Sequence, residues 1–157
     1  MKTKLDFQNA ADEIDLPSKN DFQCWVDAAN QHHSNAEVCM RLTSVGEIQS
    51  LNKTYRQKDN PTNVLSFAYA ADDNFEPNED GTLYLGDIII CPSIIEKEAA
   101  EQAKPLRDHY AHMCVHGMLH LLGYDHQTNE EADIMEALEI KILKTFNINN
   151  PYQVKTA

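Results

Sequence analysis

Residues 105–126 read PLRDHYAHMCVHGMLHLLGYDH, and this stretch decides how we expect the second half of the chain to fold. Pro105 suits the first turn of a helix, because its φ is already helical and an N–H at that position would have no intrahelical partner. The helical pattern continues to about Leu122, where Gly123 can adopt the left-handed conformation that ends a helix. The sequence therefore predicts a long helix after which the chain reverses direction.

Histidines are concentrated in this stretch, with five of the seven between His109 and His126. His116 and His120 are four residues apart, so a helix places their imidazoles on one face, one turn apart. The reversal at Gly123 can return His126 to the same point. Three neutral imidazoles suit Zn²⁺, and a three-ligand site leaves a position for water, as catalytic zinc sites do. Imidazole also suits nickel, copper and iron, so the pattern leaves the metal open.

The histidine spacing is also that of the metzincin proteases, in which the residue after the first histidine is the catalytic Glu. Gly117 stands at that position here and supplies no proton acceptor. A metalloprotease-like hydrolase therefore stays only as an alternative hypothesis. Because glycine destabilises a helix, its presence next to a predicted ligand indicates that room is needed there.

Three neighbours of these histidines can be assigned positions around the predicted site. His112 lies one turn before His116 and could orient a ligand or line a cleft. Asp125 precedes His126 and could accept a hydrogen bond behind the metal site, or serve only as a turn carboxylate. Cys114 is expected to point away from the metal into the core.

A cluster of basic residues, Lys53, Arg56 and Lys58, stands out in an acidic chain with 13 Lys and Arg, 25 Asp and Glu, and a net charge of −12. The guanidinium of Arg56 could bind phosphate oxygens in a bidentate manner and stabilise the charge that develops there. Cations that favour the dipole at a helix end are the plainer explanation. The overall acidity disfavours nonspecific binding of nucleic acid by the whole surface.

The remaining patterns predict one α+β domain over residues 1–157. We expect a mostly four-stranded mixed sheet packed with about five or six helices, with the metal site on a helix and the turn after it. The apolar run 83–90 is expected to be a central strand. Strands are predicted at 4–9, 36–42, 64–69 and 83–90, and helices after Ser18, over 94–102, after the capping boxes Ser44–Glu47 and Thr128–Glu131, and along the stripe Ile134, Leu138, Ile142 and Phe146.

The cysteines and the hydropathy of the chain indicate the cellular compartment in which we expect the protein. The four cysteines form no C-x-x-C pair and are interpreted as buried, reduced thiols: Cys24, Cys39, Cys91 and Cys114. No apolar run is long enough to span a bilayer, and the N-terminus lacks the apolar core of a signal peptide. We therefore expect a cytoplasmic protein.

Residues 116–126 resemble the H-G-x-L-H-L-x-G-Y-D-H signature of the YbeY family of bacterial endoribonucleases, also called rRNA maturation factors. The match spans about residues 36–146. One departure is Asn63, where the family usually has Asp. Further stretches that resemble the family are 111–113, Tyr55-Arg56 with Asp59, Pro61-Thr62, 64–67 and 85–88.

The resemblance implies a zinc-dependent, single-strand-specific endoribonuclease that matures the 3′ end of small-subunit rRNA, processes other rRNA ends and acts in ribosome quality control. It implies a cytoplasmic location and, as partners, single-stranded rRNA and the ribosomal small subunit with its assembly proteins, and neither DNA nor membrane. Carried over by position, His116, His120 and His126 would be the ligands of one Zn²⁺ with its water, and Arg56 the functional arginine. Beside these, His112, Asp125 and Ser66 are candidates for positions behind the ligands or in the cleft, and Lys53 and Lys58 for RNA binding.

Metal-assisted hydrolysis of a phosphodiester bond is the mechanism that we favour. No general base is evident, so either water or the RNA 2′-hydroxyl could attack; a 5′-phosphate or a 2′,3′-cyclic phosphate product would distinguish them. Because the surface is acidic, we expect a protein partner to deliver the RNA. A noncatalytic ribosome-assembly factor with a structural zinc is the second alternative.

Overall fold

Strands and helices alternate through the first half of the chain, and helices make up the second half. The computed structural model describes residues 3–11, 13, 15–31, 35–69 and 81–152. Residues 70–80, which connect the third and fourth predicted strands and include five acidic residues between Asp72 and Asp80, lie outside the described residues. The elements in chain order are β1 (Thr3–Asn9), α1 (Lys19–Ala29), β2 (Ala36–Leu42), α2 (Val45–Arg56), β3 (Val64–Ala68), β4 (Leu83–Ile90), α3 (Pro92–Glu101), α4 (Leu106–Leu121) and α5 (Asn129–Lys144).

The four strands form one mixed sheet in the order β1-β2-β4-β3. β2 runs parallel to both β1 and β4, whereas β3 is antiparallel to β4. The apolar β4 is internal, as predicted, and β1 lies at an edge. The α+β architecture with a mixed four-stranded sheet is therefore confirmed, with five α-helices in the described part of the chain.

The main hydrophobic core lies between one face of this sheet and helices α1 and α4. Phe22 and Trp25 of α1 are fully buried, as is Tyr110 of α4. The ring of Phe22 lies 5.3 Å from that of Trp25 and 6.0 Å from that of Tyr110, both edge to face. Helix α4 is buried along most of its length, so it forms a rigid support for the side chains near its C-terminal end.

The opposite face of the sheet is covered by α2 where β3 and β4 run together. A smaller hydrophobic cluster joins Ile48 of α2 to Leu65, Ile89 and Cys91. This packing places the C-terminal end of α2, with Arg56, beside the edge strand β3.

A close approach at Gly86 brings the end of α4 against β3 and β4. Gly86 has φ +147°, and a Cβ there would collide with the Phe67 carbonyl oxygen and lie 2.9 Å from the Leu121 side chain. The register between β2 and β4 also shifts next to this position, between Glu37 and Val38. A larger residue would force these elements apart.

Local capping differs from the sequence prediction at α2. The Ser44 side chain accepts a hydrogen bond from the Glu47 N–H at 3.2 Å, as expected. The Glu47 carboxylate, however, binds Arg41 at 3.0 Å and the Thr43 hydroxyl, because these stronger donors lie beside it. Ser18 and Asp21 form the complete capping box, at the start of α1.

Two predictions about burial are wrong in part. The stripe that begins at Ile134 is not buried as a whole: Ile142 is buried, but Ile134 is 52% exposed, because α5 turns Met135, Glu139 and Leu143 inward. All four cysteines are free, but Cys24 is exposed and Cys39 half-buried, since helix α1 and strand β2 present these positions outward; Cys91 and Cys114 are buried as predicted. Within the described residues, none of the helices has both the length and the apolar character needed to cross a membrane.

Candidate metal centre

Helix α4 carries two of the three predicted ligands on one face near its C-terminal end. His116 and His120 are one turn apart, and their Nε2 atoms lie 3.1 Å from each other. Both side chains are half-buried. The helix therefore aims two imidazoles at one point.

The third imidazole arrives through the turn at Gly123. This residue has φ +100°, which only glycine adopts without strain. Its N–H binds the His120 carbonyl oxygen at 3.0 Å and closes the helix. The chain then reverses, and the ring centre of His126 lies 5.0 Å from that of His120 and 5.6 Å from that of His116.

The donor atoms of these three histidines suit a metal ion. One nitrogen from each of His116, His120 and His126 lies within 4.8 Å of the others. Zinc–nitrogen bonds of about 2.0–2.1 Å require separations in this range. The structure thus brings together the three residues that the spacing singled out.

Hydrogen bonds fix which ring nitrogen faces the centre. Nδ1 of His120 lies 3.0 Å from the Tyr124 carbonyl oxygen, and Nδ1 of His116 lies 3.0 Å from Oε1 of Glu139. A carbonyl and a carboxylate can only accept, so each Nδ1 carries the proton and each Nε2 keeps its lone pair. This is the arrangement that metal-bound histidines commonly show.

The electrostatics of His120 favour the same neutral form. Burial, together with the neighbouring His116 and His126, lowers the pKa of His120 to about 4. A neutral imidazole is the form that binds metal. The ring is therefore available as a ligand at neutral pH.

Glu139 of α5 is the residue of this site that the sequence analysis missed. Its Oε2 lies 2.5 Å from Nε2 of His112 and accepts from the Tyr152 hydroxyl at 2.7 Å. Burial alone would raise the pKa of Glu139, but the hydrogen bonds from His112 and His116 hold it near 2. A buried, ionised carboxylate thus ties the ligand helix to α5.

His112 belongs to this network rather than to the three-histidine cluster. Donor atoms of His112, His116 and Glu139 also lie within 4.8 Å of one another. The separations of 2.5 and 3.0 Å between the carboxylate and the two rings are those of hydrogen bonds. His112 therefore supports Glu139, which in turn orients His116.

A cavity of about 300 Å³ opens beside the cluster. Two of its walls are the rings of His116 and His126, and α5 supplies most of the others. The remaining lining residues are Ala132, Met135, Glu136, Glu139 and Tyr152. The centre is thus reached from solvent through an opening lined by both polar and apolar side chains.

Arg56 is connected to the ligand helix through Ser66 of β3. Nη2 of Arg56 lies 2.5 Å from the Ser66 carbonyl oxygen, and the Ser66 hydroxyl donates to the Gly117 carbonyl oxygen at 3.3 Å. Gly117 directly follows His116. Two hydrogen bonds therefore link the guanidinium to the backbone that carries the first histidine.

Gly117 faces the sheet and not the centre of the histidine cluster. A Cβ at Gly117 would lie 3.0 Å from Cγ2 of Ile88 and 3.2 Å from Oγ of Ser66. The room that we predicted here is thus needed for close packing of α4 on β3 and β4.

The other predicted residues lie around this framework. Lys53 is exposed and forms an ion pair with Asp59 at 3.8 Å, and Lys58 is exposed just beyond α2. Asp125 accepts from the backbone N–H of His126 at 2.7 Å, so it acts as a turn carboxylate for the third histidine.

Asn63, the departure from the family pattern, faces a carboxylate. Its Nδ2 donates to Oε1 and Oε2 of Glu98 at 3.1 and 3.3 Å, and its Oδ1 accepts from the Val64 N–H at 2.7 Å. The same Glu98 binds Nε2 of His109 at 3.0 Å. His109 therefore belongs to a separate network between α3 and α4.

Comparisons with known proteins agree with this geometry. The family model of endoribonuclease YbeY matches residues 5–147. Proteins named endoribonuclease YbeY from Francisella tularensis subsp. tularensis, strains FSC 198 and SCHU S4, are each 45% identical over 160 residues, which cover 97% of this chain and 95% of each relative. The protein of that name from subsp. holarctica strain LVS is 44% identical over the same coverage.

A solved structure shares the fold. The solution structure of TM1509 from Thermotoga maritima superposes with a TM-score of 0.55 at 23% identity, covering 95% of this chain and 99% of that one. The match of the family model and the identity to the curated relatives extend over nearly the whole chain, including the histidine stretch and the Arg56 segment. This chain therefore belongs to the endoribonuclease YbeY family.

Proposed function

We propose that this protein is a metal-dependent endoribonuclease that cleaves single-stranded RNA and acts in rRNA processing, including maturation of the small-subunit rRNA 3′ end, and in ribosome quality control. Family membership supports the cleavage of RNA, because the curated relatives carry the name endoribonuclease. The observation that carries the proposal is the convergence of three imidazoles beside an open cavity, two of them with Nε2 freed by a hydrogen bond at Nδ1.

One Zn²⁺ is the metal that we assign to His116, His120 and His126. Three neutral nitrogen donors match its preference, and the cluster contains three such donors among the described residues. Bound zinc supplies a Lewis acid for a phosphoryl oxygen and a water with a pKa lowered towards about 7. Glu139 and the Tyr124 carbonyl hold the rings in the tautomer that this role needs.

Arg56 binds the scissile phosphate in this proposal. The guanidinium of Arg56 donates to the Ser66 carbonyl oxygen, and this contact fixes its position. A guanidinium has five N–H donors, so further donors are left to bind a ligand. Those donors can hold a phosphate oxygen as charge develops on it. Lys53 and Lys58, exposed on the same end of α2, would attract the RNA backbone.

The attacking group is either water or the 2′-hydroxyl of the RNA. Glu139 is not an available base, because its two oxygens already bind two histidines and the Tyr152 hydroxyl. Mass spectrometry of the products decides the question: a 5′-phosphate indicates water, and a 2′,3′-cyclic phosphate indicates the 2′-hydroxyl.

Delivery of the RNA by the ribosomal small subunit or its assembly proteins, in the cytoplasm, completes the proposal. The net charge of −12 opposes tight binding of free RNA. Ribosome-bound rRNA should therefore be cut faster than a short free strand. Equal rates on both substrates would contradict this part, and DNA should not be cut if the 2′-hydroxyl attacks.

The test combines metal analysis with RNA cleavage by the purified protein. We expect about one zinc per chain, cleavage that stops with a chelator and returns with added zinc, and loss of cleavage and zinc in His120→Ala with the fold retained. Cleavage that survives chelation would overturn the metal-dependent mechanism. A folded, zinc-loaded protein that cuts no RNA would favour the noncatalytic assembly factor.

Arg56→Ala separates catalysis from structure. Loss of a contact to the developing charge should lower kcat by about 100-fold with unchanged zinc content. Arg107→Ala is the matched control. The guanidinium of Arg107 also lies over an aromatic ring, 5.3 Å from the centre of the Trp25 ring. Arg107 is, however, roughly 14 Å along α4 from His116, so its loss should not affect catalysis. Loss of zinc in Arg56→Ala would make its role structural.

A metalloprotease-like hydrolase fits this site less well. Gly117, at the position of the metzincin Glu, packs against Ile88 and Ser66 of the sheet. A carboxylate there would have no space and would not face the histidines. Hydrolysis of peptide substrates by the zinc-loaded protein would revive this alternative.

A further inference from the structure

Tyr55 is the most exposed large hydrophobic side chain in the described part of the chain, with 61% of its surface accessible. Its ring meets that of Phe67 edge to face, with centres 5.4 Å apart and planes at 68°. Phe67 lies on β3, one residue after Ser66. The tyrosine ring is therefore held by one aromatic neighbour and is presented to solvent beside Arg56.

The surroundings of Tyr55 are polar and cationic. Residues 53–61 are exposed throughout, and they include Lys53, Arg56 and Lys58. The guanidinium carbon of Arg56 lies 5.4 Å from the centre of the Phe67 ring. An apolar protein partner would be expected to contact a continuous apolar patch, which this segment does not offer.

Aromatic rings interleaved with cations are the pattern that binds single-stranded nucleic acid without strict sequence preference. Bases stack on the rings while cations hold the phosphates, and Arg adds a contact to the ring face. Here both kinds of group occur in consecutive residues, Tyr55 and Arg56. A nucleotide whose phosphate is held by Arg56 has its base, or that of its neighbour, within reach of Tyr55.

We propose that Tyr55, supported by Phe67, is a stacking platform for a base of single-stranded RNA next to the phosphate that Arg56 binds. The proposal rests on the proposed function and deepens it, because it assigns a base-binding position to the nuclease site. The preset ring orientation lowers the entropy cost of stacking. Selection of single strands follows, since bases paired in a duplex expose no free face to the ring.

Binding of a 2′-O-methyl single-stranded oligonucleotide, measured by fluorescence anisotropy with the full chain, tests the platform. We expect Tyr55→Leu to bind about tenfold more weakly, because stacking of one base is lost, and Tyr55→Trp to bind as well as the wild type. An abasic strand of equal length should bind wild type and Tyr55→Leu equally. Metal content and melting temperature confirm that both variants are folded.

Tyr69→Leu is the matched control. Tyr69, the residue after β3, is also exposed, at 43%, but its hydroxyl donates to the Asp87 carboxylate at 3.0 Å, and this negative charge repels phosphate. This variant should bind the oligonucleotide like the wild type. An equal loss in Tyr69→Leu and Tyr55→Leu would overturn the assignment of the platform to Tyr55.

Three other outcomes also overturn the proposal. One is an unchanged affinity of Tyr55→Leu, and another is an equal loss on the abasic strand. The third is unchanged RNA affinity with loss of binding to ribosomal subunits, which would identify the surface as a protein contact. Cleavage of ribosome-bound rRNA, measured in parallel, separates the two hypotheses. A wild type that cuts this rRNA while Tyr55→Leu binds the oligonucleotide normally refutes only the platform. A wild type that neither binds the oligonucleotide nor cuts the rRNA refutes both.

Discussion

Oε1 of Glu139 lies 3.0 Å from Nδ1 of His116, and Oε2 of the same carboxylate lies 2.5 Å from Nε2 of His112. The carboxylate is 1% exposed and also accepts from the Tyr152 hydroxyl. A single side chain of α5 thus fixes the ring of a proposed ligand on α4 and ties the chain beyond α5 to both helices.

Replacing this carboxylate should weaken the metal site. Glu139→Gln keeps the shape but removes the charge that favours the Nδ1–H tautomer of His116, so we expect metal affinity to fall about 10- to 100-fold. Competition with a chromophoric chelator measures the affinity. Glu136→Gln, which changes an acid lining the same cavity, is the control and should alter affinity much less. Equal effects of the two variants would show that Glu139 acts only through overall charge.

The ion pair at the start of α1 predicts a pH dependence outside the metal site. The hydrogen bond from Arg107 lowers the pKa of Asp21 below its ordinary value of 3.8, although burial opposes this shift. Because the folded pKa is depressed, the stabilisation is present above about pH 3.8 and is lost as the pH falls through the folded pKa. Arg107 is 53% exposed, so Asp21→Asn should cost no more than about 1 kcal/mol at pH 7.

Urea unfolding at several pH values measures this difference. The gap between wild type and Asp21→Asn should narrow as the pH drops below 3.8 and shrink in 1 M salt at pH 7. A gap that narrows with falling pH but does not respond to salt would assign the effect to the Ser18 capping box, because the Ser18 N–H also lowers the pKa of Asp21.

The contacts of Asn63 predict how the stability would change if this position carried Asp, as the family usually does. In Asn63→Asp a carboxylate would replace the amide that donates to Glu98, so two acids would lie at hydrogen-bond distance. We expect a loss of about 1–3 kcal/mol at pH 7, because the Glu98 carboxylate loses its donor. Adding Glu98→Gln should recover much of this loss, since the new amide can donate to Asp. A double-mutant cycle from thermal melts measures the coupling, and simple additivity would contradict it.

The sequence was informative where a local pattern has one physical solution. The four-residue spacing of His116 and His120, with Gly123 as a stop, requires convergence of their rings if the helix forms. The alternating and apolar runs likewise predicted the four strands, because each pattern matches only one way of burying a face. Strand order did not follow from the sequence, since it depends on contacts between distant segments.

Glu139 could not be identified in the same way. Its role depends on the rotation of α5, which the stripe through Ile134 mispredicted by one position. An acid among Met135, Ile142 and Leu143 is the signal that would have revealed it, because a buried carboxylate needs partners. The hydrogen bonds of Glu139 to His116 and His112 join two different helices, so they could be identified only in the folded structure.

The substitution Gly117→Ala tests the packing of α4 on the sheet, because helix propensity and packing predict opposite effects of this change on stability. Alanine should stabilise a helix interior by up to about 1 kcal/mol over glycine. At Gly117, however, the added Cβ would lie 3.0 Å from Ile88 and 3.2 Å from Ser66, at the position where the helix touches the sheet. Gly117→Ala should therefore lower stability by about 1–3 kcal/mol and, by shifting His116, weaken metal binding.

Gly46→Ala supplies the matched control, since Gly46 lies in α2 and a Cβ there would meet nothing within 4 Å. That variant should melt at a higher temperature than the wild type, while Gly117→Ala melts at a lower one. Two stabilised variants would mean that α4 can move away from Ile88 at no cost, and that the glycine beside His116 is not required by packing. Opposite shifts, with metal affinity reduced only in Gly117→Ala, would establish that contact with the sheet sets the position of the histidine pair.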